Sequence, residues 1–104
     1  MQEQALTFLT KAIALNPDFA DAHYEKGRAL EQAGKLPAAA EEYKVSLLKN
    51  GNLSQAHYRL ALIYRKLGQA QSANSELALF EKTKLIEKEK DSVLSRLEYE
   101  IREP

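Results

Sequence analysis

The chain of 104 residues carries fifteen basic and fifteen acidic side chains and no cysteine; it has room for one domain, and its balanced charge gives no global field to draw nucleic acid or an anionic membrane. No run of about 18 apolar residues exists, which excludes a spanning helix, and Met1-Gln2-Glu3-Gln4 lacks the basic opening and apolar core of a signal peptide. Without cysteine there is no disulfide, no thiol nucleophile and no thiolate metal site, so the compartment stays open, with the cytoplasm slightly favoured.

Alanine, leucine, glutamate, lysine and glutamine dominate, with three prolines and four glycines, a mixture that forms helices and carries little strand signal. Residues 2 to 15 place Ala5, Leu9 and Ala12 on one helical stripe. Leu6 and Ile13 widen it, and Phe8 with Leu15 widen it again. A short helix apolar over so much of its girth expects partners on two sides. Asn16-Pro17 ends it, because proline disfavours helix at the residue before it. Asp18 is a plausible N-cap for the next helix, with Asp21 in its first turn, and Asn52 with Gln55 repeats the pattern later as a capping box. Two helices are therefore expected over 19–33 and 53–67, each stopped by a glycine, Gly34 or Gly68, suited to a left-handed C-terminal turn. Between them a return helix begins near Leu36-Pro37, where proline is tolerated in the first turn, and ends before Asn50-Gly51.

The last stretch meets no glycine or proline from Gln69 until Pro104. Read as one helix it would be roughly 50 Å long at about 1.5 Å per residue. Its apolar residues Ala73, Leu77 and Phe80 give way to a charged run from Lys82 to Asp91, then to Val93, Leu94, Leu97 and Ile101. The competing reading is a break at Asp91-Ser92, either of which could cap a new helix.

These segments repeat. Ala22-His23-Tyr24 returns as Ala56-His57-Tyr58, Gly34 as Gly68, Ala39 as Ala73 and Glu42 as Glu76, every pair 34 residues apart. A fixed period between about 20 and 50 residues marks a solenoid in which each repeat stacks on its neighbours.

On these residues the chain resembles the tetratricopeptide repeat, a pair of antiparallel helices with an aromatic, leucine, glycine and tyrosine along the first helix. Alanine, an aromatic and alanine follow along the second, with proline at the exit. The first full copy fills these places with His23, Lys26, Gly27, Leu30, Ala39, Tyr43, Ser46 and Gly51. The second fills them with His57, Leu60, Ala61, Tyr64, Ala73, Leu77, Phe80 and Leu85, and Ala5, Leu9, Ala12 and Pro17 match the second half of an earlier one. The resemblance implies an all-α, right-handed superhelical array of antiparallel helix pairs. A half repeat at 2–17 precedes full repeats at 20–53 and 54–84, and a long C-terminal helix carries 85–104 as an extension or a cap over the last repeat. Because it opens in mid-repeat, the chain reads as an excerpt of a longer array. Gly27 and Ala61 are expected where paired helices cross, with Ala39 and Ala73 opposite. Lys26, where leucine is usual, must bury its stem and extend its ammonium to water.

The resemblance also implies a non-catalytic interaction module whose inner groove is lined by the first helix of each unit. Carried over by residue, one copy supplies Asp21, Tyr24, Glu25, Arg28 and Gln32, and the other Gln55, Tyr58, Arg59, Leu62, Arg65 and Lys66. Tyrosines beside arginines suit a protein interface, since a rigid aromatic with a polar tip loses little entropy on binding. The blander alternative has both tyrosines packing between repeats. Arg59, Arg65 and Lys66 favour an acidic or carboxylate-bearing protein or peptide partner. The lysine and asparagine that clamp chaperone C-termini in some members are replaced here by Tyr24, Arg28 and Arg59, so that specialised clamp is not supported.

A second reading is self-association as a homo-oligomer, through Leu6, Phe8 and Ile13 on the uncovered first helix or through Val93, Leu94, Leu97 and Ile101 on the last. The tail has only about one sound heptad, short of what a coiled coil needs, so its apolar residues are expected to fold back over the last repeat or dock on a partner. His23 and His57 fall where the family packs an aromatic, and with no third ligand between them they are read as packing residues, not a metal site. No phosphate loop, nucleophile motif or paired catalytic carboxylates stand out, and no cofactor is expected.

Overall fold

A computed structural model describes residues 2–102. Five helices follow one another: α1 Gln2–Leu15, α2 Ala20–Gln32, α3 Leu36–Lys49, α4 Ser54–Lys66 and α5 Ala70–Arg102. No strand occurs among the described residues. Each helix packs on the next in chain order, with the closest association inside the α2/α3 and α4/α5 pairs. The fold is thus an all-α array of antiparallel pairs ending in a long helix.

The helices start differently from the expected caps. Phe19 and Leu53 occupy the N-cap positions, and neither α2 nor α4 is capped by a side chain. The polar residues act one turn earlier. Asn16 Oδ1 accepts the Asp18 N–H at 3.2 Å, and Asn50 Oδ1 accepts the Asn52 N–H at 3.0 Å. Asparagine closes such a turn by bonding the backbone two residues on, so Asp18 and Asn52 sit inside the turn instead of capping the helix.

The stops are as expected. Gly34 and Gly68 have φ of 79° and 77°, a region that costs other residues a Cβ clash. Around them the same two bonds recur. Gly34 N–H donates to Glu31 O and Lys35 N–H to Leu30 O, matched by Gly68 to Arg65 and Gln69 to Tyr64. This is the Schellman closure, which satisfies the last carbonyls of a helix.

Ala39, Ala40, Tyr43, Leu60 and Ile63 form the buried core, and Tyr24, Leu30, Leu36, Leu47 and Tyr64 pack around it. Gly27 explains how a tyrosine fits there. A Cβ on Gly27 would stand 2.7 Å from Tyr43 Cε1 and 2.8 Å from Cδ1, so it is the Tyr43 ring that takes up the space the glycine leaves. Lys26 does extend its ammonium outward, to within 3.5 Å of Glu42.

α5 runs unbroken through Asp91-Ser92. Pro104, the expected stop, lies outside the described residues. Thr83 is the last buried residue, and from Lys88 to Ile101 every side chain is exposed. The expected fold-back of Val93, Leu94, Leu97 and Ile101 therefore does not occur: an intact helix has no hinge with which to turn, and the four side chains face solvent.

Candidate functional site

The face proposed by register is carried by α2 and α4. Its positions form two stripes at helical spacing, Asp21, Glu25, Arg28 and Gln32 on α2 and Gln55, Arg59, Leu62 and Lys66 on α4. Each α4 position lies 34 residues after its α2 counterpart.

Tyr24 and Tyr58 are alike in kind. The Tyr24 ring lies 5.5 Å from that of Tyr43, and the Tyr58 ring 5.2 Å from that of Phe80, both tilted by 45°. Each tyrosine therefore leans on an aromatic of its own repeat's second helix rather than standing free. The partner shifts by three residues between copies, because Ser46 in one repeat corresponds to Phe80 in the other. Tyr24 is half-buried, whereas Tyr58 keeps 38% of its surface in water and is the more available ring.

Arg59 is largely committed to the fold. Its Nη1 lies 3.7 Å from Glu31 Oε2, while Glu31 Oε1 accepts the Tyr43 hydroxyl at 2.7 Å. One carboxylate thus ties the first repeat's core tyrosine to the second repeat's first helix. Burial opposes the Arg59 charge, but Tyr24 and Glu31 outweigh it and hold the guanidinium above its usual range. Burial first, and then the bond to Glu31, push the Tyr43 phenol far above the ordinary tyrosine value.

Arg28, Arg65 and Lys66 differ from Arg59: among the described residues they make no ion pair. Arg28 is half-buried, and Arg65 and Lys66 are exposed in the last turn of α4. Leu62, on the same helix as Arg65 and Lys66, is half-buried. Asp21, Glu25, Gln32 and Gln55 are exposed.

The histidines are hydrogen-bonded links between paired helices. His23 Nδ1 lies 2.9 Å from Glu42 Oε2, and Nε2 donates to Pro17 O at 2.8 Å. His57 Nδ1 lies 2.6 Å from Glu76 Oε2. No group of three or more side chains able to hold a metal ion occurs among the described residues. The pairing was legible in principle, since histidine and glutamate both recur with the period and always stand 19 apart.

At the array's start, Phe8 is 70% exposed while Leu6 and Ile13 are half-buried against the chain. A shallow hollow of about 400 Å³ lies along Gln4, Thr7, Phe8 and Lys11. It is remote in sequence from the α2/α4 face. No helix among the described residues is long and apolar enough to cross a membrane.

Two family models described as tetratricopeptide repeat match the chain, one over residues 3–52 and the other over 54–77. Among curated proteins, the TPR repeat-containing thioredoxin TTL4 of Arabidopsis thaliana is 30% identical over 76 residues, covering 73% of this chain and 11% of its own length. Among solved structures, a crystal structure of MamA superposes with a TM-score of 0.82 at 24% identity, over 85% of this chain and 52% of that one. A second MamA structure gives 0.76 at 21% identity, over 83% of this chain and 49% of that one. The chain thus spans about half the length of those solved chains and about a tenth of the plant protein. At these identities the MamA likeness concerns the fold.

Proposed function

Since this chain belongs to the tetratricopeptide repeat family, whose domains are protein-interaction modules, we propose that it is a non-catalytic adaptor which holds a protein segment carrying acidic side chains against the α2/α4 face. The observation that carries this reading is that Arg28 on α2 and Arg65 and Lys66 on α4 make no ion pair among the described residues, on helices that also carry the half-buried Leu62, the half-open Tyr58 ring and the exposed acids Asp21 and Glu25. A strip of apolar surface edged by unneutralised charge gains from burial at its centre and selects its ligand by charge at its rim. Arg59 supports the face mainly by position, because Glu31 already neutralises it. The thioredoxin in the plant relative's name does not transfer, since a chain without cysteine has no dithiol.

Fluorescence anisotropy with two labelled peptides of equal length and apolar content, one acidic and one basic, tests this. The acidic peptide should bind, more weakly as salt rises, and the Arg65→Glu/Lys66→Glu double variant should lose it with unchanged circular dichroism. Equal binding of both peptides, or of neither, would contradict the reading.

A further inference from the structure

Three of the four glycines answer a need of the fold, and one does not. Gly27 leaves its space to the Tyr43 ring, while Gly34 and Gly68 sit at positive φ. Gly51 lies outside the left-handed region, and a Cβ placed there would meet only the Leu47 carbonyl oxygen at 3.7 Å, an ordinary contact. What glycine supplies at this place is chemical: an unhindered backbone nitrogen directly after an asparagine. Asn50 and Gly51 are both exposed in the turn between α3 and α4. The Gly51 N–H makes no hydrogen bond among the described residues. The other three asparagines have no such neighbour. Asn16 closes the same kind of turn one period earlier, but Pro17 follows it and has no N–H to give. Leu53, after Asn52, bonds its N–H to Asn50 O at 3.3 Å. Ser75, after Asn74, lies inside α5, where backbone N–H groups bond the preceding turn.

We propose that Asn50 is a site of spontaneous deamidation, through which the link between the two repeats lengthens as the protein ages. The Gly51 nitrogen gives its proton to water and bonds to Asn50 Cγ, and the side-chain nitrogen leaves as ammonia. The product is a five-membered cyclic imide, which one water then opens. Cleavage at Cγ gives aspartate. Cleavage at the main-chain carbonyl gives isoaspartate, in which the chain runs through Cβ and gains a methylene. In sum, asparagine and water become an aspartyl or isoaspartyl residue and ammonia. In the closed turn Asn50 Oδ1 accepts the Asn52 N–H at 3.0 Å and Asn50 has ψ of 97°. The carboxamide must leave that bond, and the backbone must rotate, before the Gly51 nitrogen reaches Cγ, so the reaction waits on opening of the turn. Either product sets a negative charge at the C-terminal end of α3, where the helix dipole disfavours it. Isoaspartate also shifts the start of α4 relative to the first repeat.

Prolonged incubation of the full chain at mildly alkaline pH, followed by peptide mapping with mass spectrometry, tests the proposal. Asn50 should convert to a mixture of isoaspartate and aspartate, with Asn16, Asn52 and Asn74 unchanged over the same period. Gly51→Ala has room for its methyl and should keep the native circular dichroism while slowing conversion by about tenfold or more, because the added Cβ crowds the attacking nitrogen. The isoaspartyl form, separated by anion exchange, should melt below the fresh chain. The chain unfolded in urea serves as the positive control. Conversion there but none in the folded chain overturns the proposal, since the turn then never opens to the reaction. Equal conversion at Asn52 or Asn74, or an unchanged rate in Gly51→Ala, overturns it too, because the free glycine nitrogen would not be what reacts. So does an isoaspartyl form that melts where the fresh chain does, which would mean that the longer link leaves the array undisturbed.

Discussion

Glu76 Oε2 lies 2.6 Å from His57 Nδ1, and Glu42 Oε2 lies 2.9 Å from His23 Nδ1, the same link made twice, one period apart. Each ties the first helix of a repeat to its second at a place where the side chains are mostly buried. Glu42→Ala would leave His23 Nδ1 without its partner and Lys26 without its carboxylate. Glu76→Ala would strip His57 in the same way. A buried polar group left unpaired costs about 1–3 kcal/mol. The two losses should add, because the sites share no partner. Urea melts of both single variants and the double variant check this.

Gly27→Ala is predicted to destabilise the fold although alanine favours helix. The added methyl would stand 2.7 Å from a ring that has no exposed surface and no room to move. Overpacking of this kind costs about 1–3 kcal/mol, against about 1 kcal/mol gained in helix propensity. The second repeat carries Ala61 where the first has Gly27, and Leu77 where the first has Tyr43. A smaller partner admits the larger wall. Thermal denaturation of Gly27→Ala with and without Tyr43→Leu should show the second change relieving the first.

Tyr43 should make stability fall at alkaline pH. Its phenol is raised in the folded state by burial and by the Glu31 carboxylate, so its contribution is complete below the unfolded value of about 10. That contribution is lost as pH climbs from there toward the folded value. Tyr43→Phe removes the ionising group, and its melting temperature should decline less between neutral pH and pH 11 than that of the native chain. Parallel decline in the two proteins would refute the assignment.

Hydrogen exchange should divide α5 in two. Up to Thr83 the helix is packed against α4; from Lys88 to Ile101 its side chains are exposed. A helix of about 14 residues without tertiary support is marginal in water. At low protein concentration, amides beyond Lys88 should exchange far faster than those from Ala73 to Thr83. Uniform protection along α5 would contradict the packing described.

The sequence carried most of this architecture because period, glycine stops and apolar spacing are local and repeat. Gly34 and Gly68 could be placed in left-handed turns from their position alone. Three features escaped it for physical reasons. Asn16 and Asn50 close their turns from two residues before Asp18 and Asn52, and a run of several polar residues does not say which one bonds the backbone. Glu31 reaches both Tyr43 and Arg59, a junction between repeats that no single repeat contains. Arg59 therefore reads from the pattern as an open cation, when the fold has already given it a carboxylate. The α5 tail was legible as apolar but not as unsupported, since spacing shows which side of a helix is apolar and not what lies beside it.

The most direct test of the adaptor reading is an isotope-edited amide-shift titration of the full chain with the acidic peptide. Shifts should concentrate on α2 and α4, from Tyr24 to Gln32 and from Tyr58 to Lys66, and should vanish in the Arg65→Glu/Lys66→Glu variant. Shifts confined to α1 around Phe8 or to α5, or none at any peptide concentration, would contradict it.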